Sequence, residues 1–209
     1  MISSSNALKD IKAVVFDAFG TVVHIPGYRR PYRQLIDYLK SQGVLIKTAD
    51  SDQLMKSPVE LSAVGQYFGF TIPTEVLTHV EKDLQYDLDS TVLFEDVLGT
   101  VSRLQTKNFR VGICSNLALP YSTPVKALLP RLDAYAWSYE VGAVKPDSRI
   151  YENVCDQLGC LPQQVLMVGD TLEADYFGPH RFGMRSLFLS RSGGSKLPQA
   201  LNSLSDLFL

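Results

Sequence analysis

The chain reads as an α/β protein: a doubly wound parallel sheet carrying an inserted helical cap. Three observations predict this. Four short apolar runs, Ala13 to Phe16, Val111 to Cys114, Val165 to Val168 and Ser186 to Leu189, are continuous rather than alternating. Strands look like this when helices cover both faces of their sheet. Helical patterns lie between the later runs. Finally, most of a hundred residues separate Phe16 from Val111, whereas one helical crossover between parallel strands takes about a dozen.

Taken in order, the first run ends in Asp17-Ala18-Phe19-Gly20-Thr21, so a buried strand hands a carboxylate to a glycine-bearing turn. The long gap predicts a cap over 24–90, leaving 1–23 and 91–209 as the core. Within the cap, Arg30 to Ser41, Pro58 to Phe68 and Pro73 to Leu88 read as helices with proline near their starts. Val97, Leu98, Val101 and Leu104 fall on one helix face, and Ile150, Tyr151, Val154 and Leu158 on another. Asp147 suits the N-cap of that second helix and Gly159 its end. A further strand is expected over Ala134 to Tyr139. Ser190 to Lys196 reads as a flexible loop before a short terminal helix.

Composition narrows the function classes. With 209 residues there is room for one medium domain or a core with a smaller insertion. A net charge of -2 gives no footprint for nucleic acid or an anionic membrane. No apolar run approaches the roughly 20 residues that span a bilayer. Met1 to Asn6 has neither a basic nor an apolar leader region, so no signal peptide is expected. Cys114, Cys155 and Cys160 are odd in number and lack a C-x-x-C spacing, which fits buried thiols in a reducing cytoplasm. His24, His79 and His180 have no ligand spacing.

Polar residues follow the apolar runs: Asp17 and Thr21 the first, Ser115 and Asn116 the second, Gly169-Asp170 the third, with Glu173 and Asp175 close behind. Lys145 sits in the Gly142-Ala143-Val144-Lys145-Pro146 loop. In a parallel sheet these strand ends converge on one crevice. Acids gathered there repel one another unless a cation sits among them. Asp17 and Asp170 suit a hard divalent ion such as Mg²⁺, and Ser115, Asn116 and Lys145 suit phosphoryl oxygens. Glu173 fits a helix N-terminal acid, Tyr151 fits the core, and Tyr28, Arg29 and Arg30 fit a solvated basic stretch at the cap entrance.

The ordered set Asp17/Thr21, Ser115, Lys145 and Gly169-Asp170-x-x-x-x-Asp175 resembles the haloacid dehalogenase (HAD) superfamily, with the insertion where that family's first type of helical cap lies. The resemblance implies a hydrolase acting on a small, anionic molecule, with Asp17 as a nucleophile that forms a covalent aspartyl intermediate. It implies Mg²⁺ held by Asp17, the backbone carbonyl of Phe19 and Asp170, with Asp175 supporting from behind. Ser115 would hold a phosphoryl oxygen and Lys145 would neutralise Asp17. Thr21 would steady the turn and Asn116 would line the entrance to the substrate.

Phe19 departs from the phosphatase pattern, in which a second aspartate two residues after the nucleophile protonates the leaving oxygen. Haloacid dehalogenases lack that aspartate too; their motif resembles Asp17-Ala18-Phe19-Gly20-Thr21, and a halide needs no proton to leave. They are metal-free, however, with neutral residues where Gly169-Asp170 stands. Three readings follow: a Mg²⁺-dependent phosphatase-type hydrolase, favoured because an uncompensated buried charge costs several kcal/mol; a metal-independent 2-haloacid dehalogenase; and a catalytically weak or inactive phosphate-binding or interaction module.

Overall fold

The computed structural model describes residues 8–195, 197 and 200–208. In chain order the elements are β1 (Ala13–Phe16), β2 (Val23–His24), α1 (Pro31–Ser41), α2 (Thr48–Met55), α3 (Val64–Tyr67), α4 (Thr74–Asp89), β3 (Val92–Leu93) and α5 (Val97–Thr106). There follow β4 (Arg110–Ser115), α6 (Ser122–Leu128), β5 (Ala134–Trp137), α7 (Ser138–Val141), α8 (Ser148–Leu158), β6 (Val165–Gly169), α9 (Gly178–Phe182) and β7 (Arg185–Phe188). Among the described residues no helix is long and apolar enough to cross a membrane.

Five strands form one parallel sheet in the order β5-β4-β1-β6-β7. The α/β, doubly wound architecture is therefore as expected. Alternate side chains of β1 feed two separate apolar layers: Val14 and Phe16 on one face, Ala13 and Val15 on the other. That two-sided burial is why the run is continuous in sequence. Register does the rest. Phe16 is level with Ile113 of β4 and Val168 of β6, so the chain leaves all three central strands at one height.

The segment between β1 and α5 builds a helical body with its own apolar cluster of Leu35, Ile36, Leu39, Leu54, Leu61, Val64 and Val80. The two-stranded antiparallel ribbon β2–β3 pins together the chain's exit to this body and its return. Pro31 opens α1 at its first position, where a missing N–H costs nothing. Asp147 caps α8 by accepting from the Arg149 amide at 3.1 Å, and Gly159 ends it in the left-handed conformation.

Several element boundaries differ from expectation. The stretch 58–68 is not one helix: a 3₁₀ turn at Leu61–Ala63 runs into the single turn α3. Gly65 packs so closely under Ile72 and the Phe70 carbonyl that a Cβ has no room there. Helix α2 has no counterpart in the sequence reading. The last sheet strand starts one residue earlier, at Arg185. Strand β5 stops at Trp137 because Ser138 turns the chain, its Oγ accepting from the Leu117 amide at 3.1 Å. The loop from Ser190 is not loose at its start: Arg191 bridges Asp96 at 3.0 Å and lies 3.8 Å from the Phe94 ring centroid. Lys196, at that loop's far end, lies outside the described residues.

Candidate active site

Asp17 follows β1 directly and its amide donates to the Val168 carbonyl of β6 at 3.0 Å, fixing it to the middle of the sheet edge. The turn after it is held by the Ala18 carbonyl, which accepts from Thr21, Val22 and Val23. The Phe19 carbonyl takes up no hydrogen bond among the described residues and is free for another partner. Gly20 has φ +82°, and an added Cβ would collide with the Asp170 carboxylate. Glycine therefore serves twice here: it makes the turn and lets the first and third strand ends approach.

Asp170 and Asp175 reach the same point from beyond β6. Leu172–Phe177 forms a π-helical turn that carries Asp175 back over Gly169, where a side chain would overlap its carboxylate. Asp175 is fully buried, and its Oδ2 accepts from the Thr171 amide at 2.9 Å. Lys145 comes from the other side. Its Nζ donates to Asp17 Oδ1 at 2.7 Å and to Asp175 Oδ1 at 2.6 Å. Asp17, Asp170 and Asp175 offer carboxylate oxygens that all lie within 4.8 Å of one another.

The electrostatics follow from this crowding. Burial pushes the Lys145 ammonium down, but the Asp17 and Asp175 charges outweigh it and the net shift is upward. Burial pushes Asp175 up, with Lys145 opposing and Asp17 adding to the rise. Asp170 is exposed at its rim, yet partial desolvation against the cluster and the charges of Asp17 and Asp175 raise it to about 6, with Lys145 only partly compensating. Three acids share one ammonium, so the cluster holds more negative charge than its protein cation balances. Its donors, together with the Phe19 carbonyl, are hard oxygens, which fit a small divalent cation.

Lys145→Met is expected to cost stability as well as chemistry. It leaves Asp17 facing the fully buried Asp175 without the cation between them, and breaking a buried pair costs about 3–5 kcal/mol. At roughly 2–4 °C per kcal/mol for a chain of this size, the melting temperature should fall by about 10 °C, read by calorimetry at pH 7. A fall of less than about 3 °C would show that the ammonium does not hold the acids together.

Ser115 ends β4 and is buried, and Asn116 follows it. Both ends of the Asn116 amide are committed to the Lys145 backbone: Nδ2 donates to its carbonyl at 2.9 Å and Oδ1 accepts from its amide at 2.7 Å. Asn116 therefore ties the second strand end to the lysine loop, and it also borders the cavity described below. That brace joins residues far apart in sequence, and no local signal marks it. Thr21 is fully buried, and its hydroxyl has no hydrogen-bond partner among the described residues. Its carbonyl accepts from Arg191 at 2.6 Å.

Arg191 thus braces the turn after Asp17 and is itself held by Asp96, which also accepts from Ser203 Oγ and the Leu204 amide, each at 2.7 Å. Burial raises the Asp96 carboxyl, but Arg191, Ser203 and Leu204 win and hold it below its ordinary value of 3.8. A depressed acid stabilises the fold above its unfolded value, and that contribution fades as pH falls through the folded one. Asp96→Asn should accordingly lower the urea midpoint clearly at pH 7 and much less at pH 3. An equal difference at both would exclude a charged Asp96 as the brace.

Residues outside the cluster sort differently. Glu173 pairs with Arg181 on the surface. Tyr151 is buried in the core, its hydroxyl donating to the Ala174 carbonyl at 2.6 Å. Burial pushes the Cys114 thiol up to about 12, which leaves it inert. His24 packs at a tilt against Phe94 with ring centroids 4.6 Å apart. Arg29 is not simply solvated: it pairs with Asp83 of α4 at 2.6 Å.

A cavity of about 520 Å³ opens between the helical body and this sheet edge. Its floor is Phe19, from the first strand-end loop, and Asn116, Leu117 and Ala118, from the second; Tyr28, Tyr32, Ile36 and Leu54 wall it. The Phe19 ring meets Tyr121 edge-on at 5.6 Å.

The sequence model of the haloacid dehalogenase-like hydrolases matches residues 11–183. The chain belongs to this family. The HAD relatives it resembles divide between two chemistries. A glyceraldehyde 3-phosphate phosphatase of Methanothermobacter thermautotrophicus is 23% identical, with 86% of each chain covered. An (S)-2-haloacid dehalogenase 4A of Burkholderia cepacia is 28% identical, covering 95% of this chain and 94% of the relative. Among solved structures, the 2-haloacid dehalogenase of Pseudomonas syringae pv. Tomato DC3000 superposes with a TM-score of 0.66 at 19% identity, covering 94% of this chain and 96% of that one. At that identity the likeness is one of fold. The chain is thus an HAD hydrolase, and its own residues must decide between the two chemistries.

Proposed function

We propose that the protein is a cytoplasmic, Mg²⁺-dependent HAD hydrolase acting on a small phosphorylated metabolite, with a core of residues 1–23 and 91–209 and a cap of residues 24–90. The observation that carries this reading is the unbalanced acid cluster: Asp17, Asp170 and Asp175 within 4.8 Å, with Lys145 as the ammonium among them. A site built for a haloacid carboxylate without metal would bring a further anion to this point, at a cost of several kcal/mol. Asp17, the Phe19 carbonyl and Asp170 would hold the ion. Bound there, it would offset charge on the phosphoryl oxygens.

The remaining chemistry belongs to the chain. Lys145 engages Asp17 Oδ1 and leaves Oδ2 without a protein donor among the described residues. An Asp17 oxygen attacks phosphorus as the ester oxygen–phosphorus bond breaks. The departing oxygen takes its proton from water, because Phe19 has none to give. Water then attacks phosphorus, its proton passing to solvent; the Asp17–phosphorus bond breaks and inorganic phosphate leaves. Lys145 offsets the charge that develops, Ser115 hydrogen-bonds a phosphoryl oxygen, Thr21 steadies the turn, and Asn116 and Asp175 keep Lys145 in place.

Phe19 favours a second reading, in which Asp17 displaces halide from C2 of a haloacid and water cleaves the resulting ester. Paired assays separate the two: 4-nitrophenyl phosphate and 2-chloropropionate, each with Mg²⁺ and with excess EDTA. Phosphate release that vanishes in EDTA and returns with Mg²⁺ is expected. Chloride release in EDTA would establish the dehalogenase instead. Mg²⁺-dependent phosphate binding with neither turnover would mark an inactive binding module.

A further inference from the structure

Resting on the phosphatase reading, we propose that Arg30 is an anion anchor at the mouth of the cap–core cavity. On this proposal the substrate is a phosphate monoester whose organic part is aromatic or apolar and ends in a second anionic group. The cavity volume, about 520 Å³, suits a small organic molecule. Its walls are mostly aromatic and aliphatic, with Phe19, Tyr28, Tyr32 and Tyr121 the largest members. Such a lining receives a flat or apolar body and rejects a strongly hydrated one.

Arg30 borders this cavity, its guanidinium carbon 5.6 Å from the Tyr28 ring centroid. Arg29 pairs with Asp83 at 2.6 Å, and Arg33, which lines the same cavity, pairs with Asp37 on the surface at 3.0 Å. Among the described residues no carboxylate lies within ion-pair distance of the Arg30 guanidinium. An exposed arginine needs no partner, but the backbone of this one is held in place. Arg30 holds φ 60° and ψ 52°, a left-handed conformation uncommon for a residue with a side chain. Asp87, fully buried on α4, enforces it by accepting from the Arg29 amide at 2.9 Å and the Arg30 amide at 3.3 Å. The same carboxylate accepts from the Tyr121 hydroxyl of the core at 3.1 Å. A buried acid is thus spent on fixing where Arg30 leaves the backbone relative to a cavity wall. Asp87 is accordingly a positioning residue, and Arg30 the residue that meets the ligand.

The test compares phenyl phosphate with 4-(carboxymethyl)phenyl phosphate, which carry similar leaving groups, in the full chain with Mg²⁺. Wild type should prefer the carboxylated ester by about tenfold or more in kcat/KM, as one charge-assisted contact allows. Arg30→Gln should bring that ratio close to one, and Arg30→Lys should keep part of it. Titration with unreactive 4-hydroxyphenylacetate gives an independent reading, its Kd weakening about tenfold in Arg30→Gln. Turnover of both esters with no preference, or a preference that survives Arg30→Gln, overturns the anchor and leaves the phosphatase reading intact. No turnover of either ester, with 4-hydroxyphenylacetate binding still dependent on Arg30, overturns the phosphatase reading and keeps the anchor.

Discussion

Asp17→Asn is expected to lower turnover of any good phosphate ester by at least about 10³-fold, since an amide oxygen cannot replace a carboxylate as nucleophile. The substitution keeps the shape of the side chain. An amide carbonyl can still accept from Lys145, and Lys145 keeps its 2.6 Å pair with Asp175. The Asp17 amide bond to Val168 is unaffected because it belongs to the backbone. The melting temperature should therefore stay within a few degrees of wild type, which separates this variant from Lys145→Met. Steady-state kinetics with 4-nitrophenyl phosphate and calorimetry on the same preparation decide it. Turnover within about tenfold of wild type would remove Asp17 from the nucleophile's role.

The parts of this site that sequence brings to light are those set by the strand ends. Asp17, Ser115 and Asp170 each follow a continuous apolar run, and the common register of β1, β4 and β6 converts three distant positions into one crevice. What stays hidden is what depends on side chains meeting across the fold. Asn116 looks like one more polar residue at a strand end, yet its amide is spent on the Lys145 backbone 29 residues away. Asp87 is one of several acids in α4, and no local signal singles it out; its partners lie 58, 57 and 34 residues off. Helix α2 escapes notice because its Thr-Ala-Asp-Ser-Asp-Gln-Leu-Met sequence shows too few apolar residues to set a period. The stretch 58–68 errs the other way: its apolar spacing suits a helix, but the close packing at Gly65 holds the chain in short turns.

On the phosphatase reading, Phe19→Asp is the variant expected to add an acid–base group. Phe19 stands two residues after Asp17 and lines the cavity, so on the proposed reading a carboxyl there would be available to the departing oxygen of an ester attacked by Asp17. Positioned acid–base catalysis contributes about 10²–10⁴-fold, and the gain should concentrate on alkyl phosphates, whose leaving oxygen needs a proton most. Aryl phosphates, which leave without help, should gain little, so the ratio of the two rates is the sharper readout. The costs are bounded. Phe19 is half-buried, and losing its edge-on contact with Tyr121 should take about 1–2 kcal/mol from stability. A fourth acid beside Asp17 and Asp170 adds to an already negative cluster, so the variant should need less Mg²⁺ for half-maximal rate than wild type. A rise of at least about 10²-fold on an alkyl phosphate, with the aryl rate nearly unchanged, would identify phosphate-ester hydrolysis as the chemistry this pocket lacks only one group to perform well. No rise in a folded, Mg²⁺-binding variant would favour halide displacement, for which a phenylalanine at this position withholds nothing.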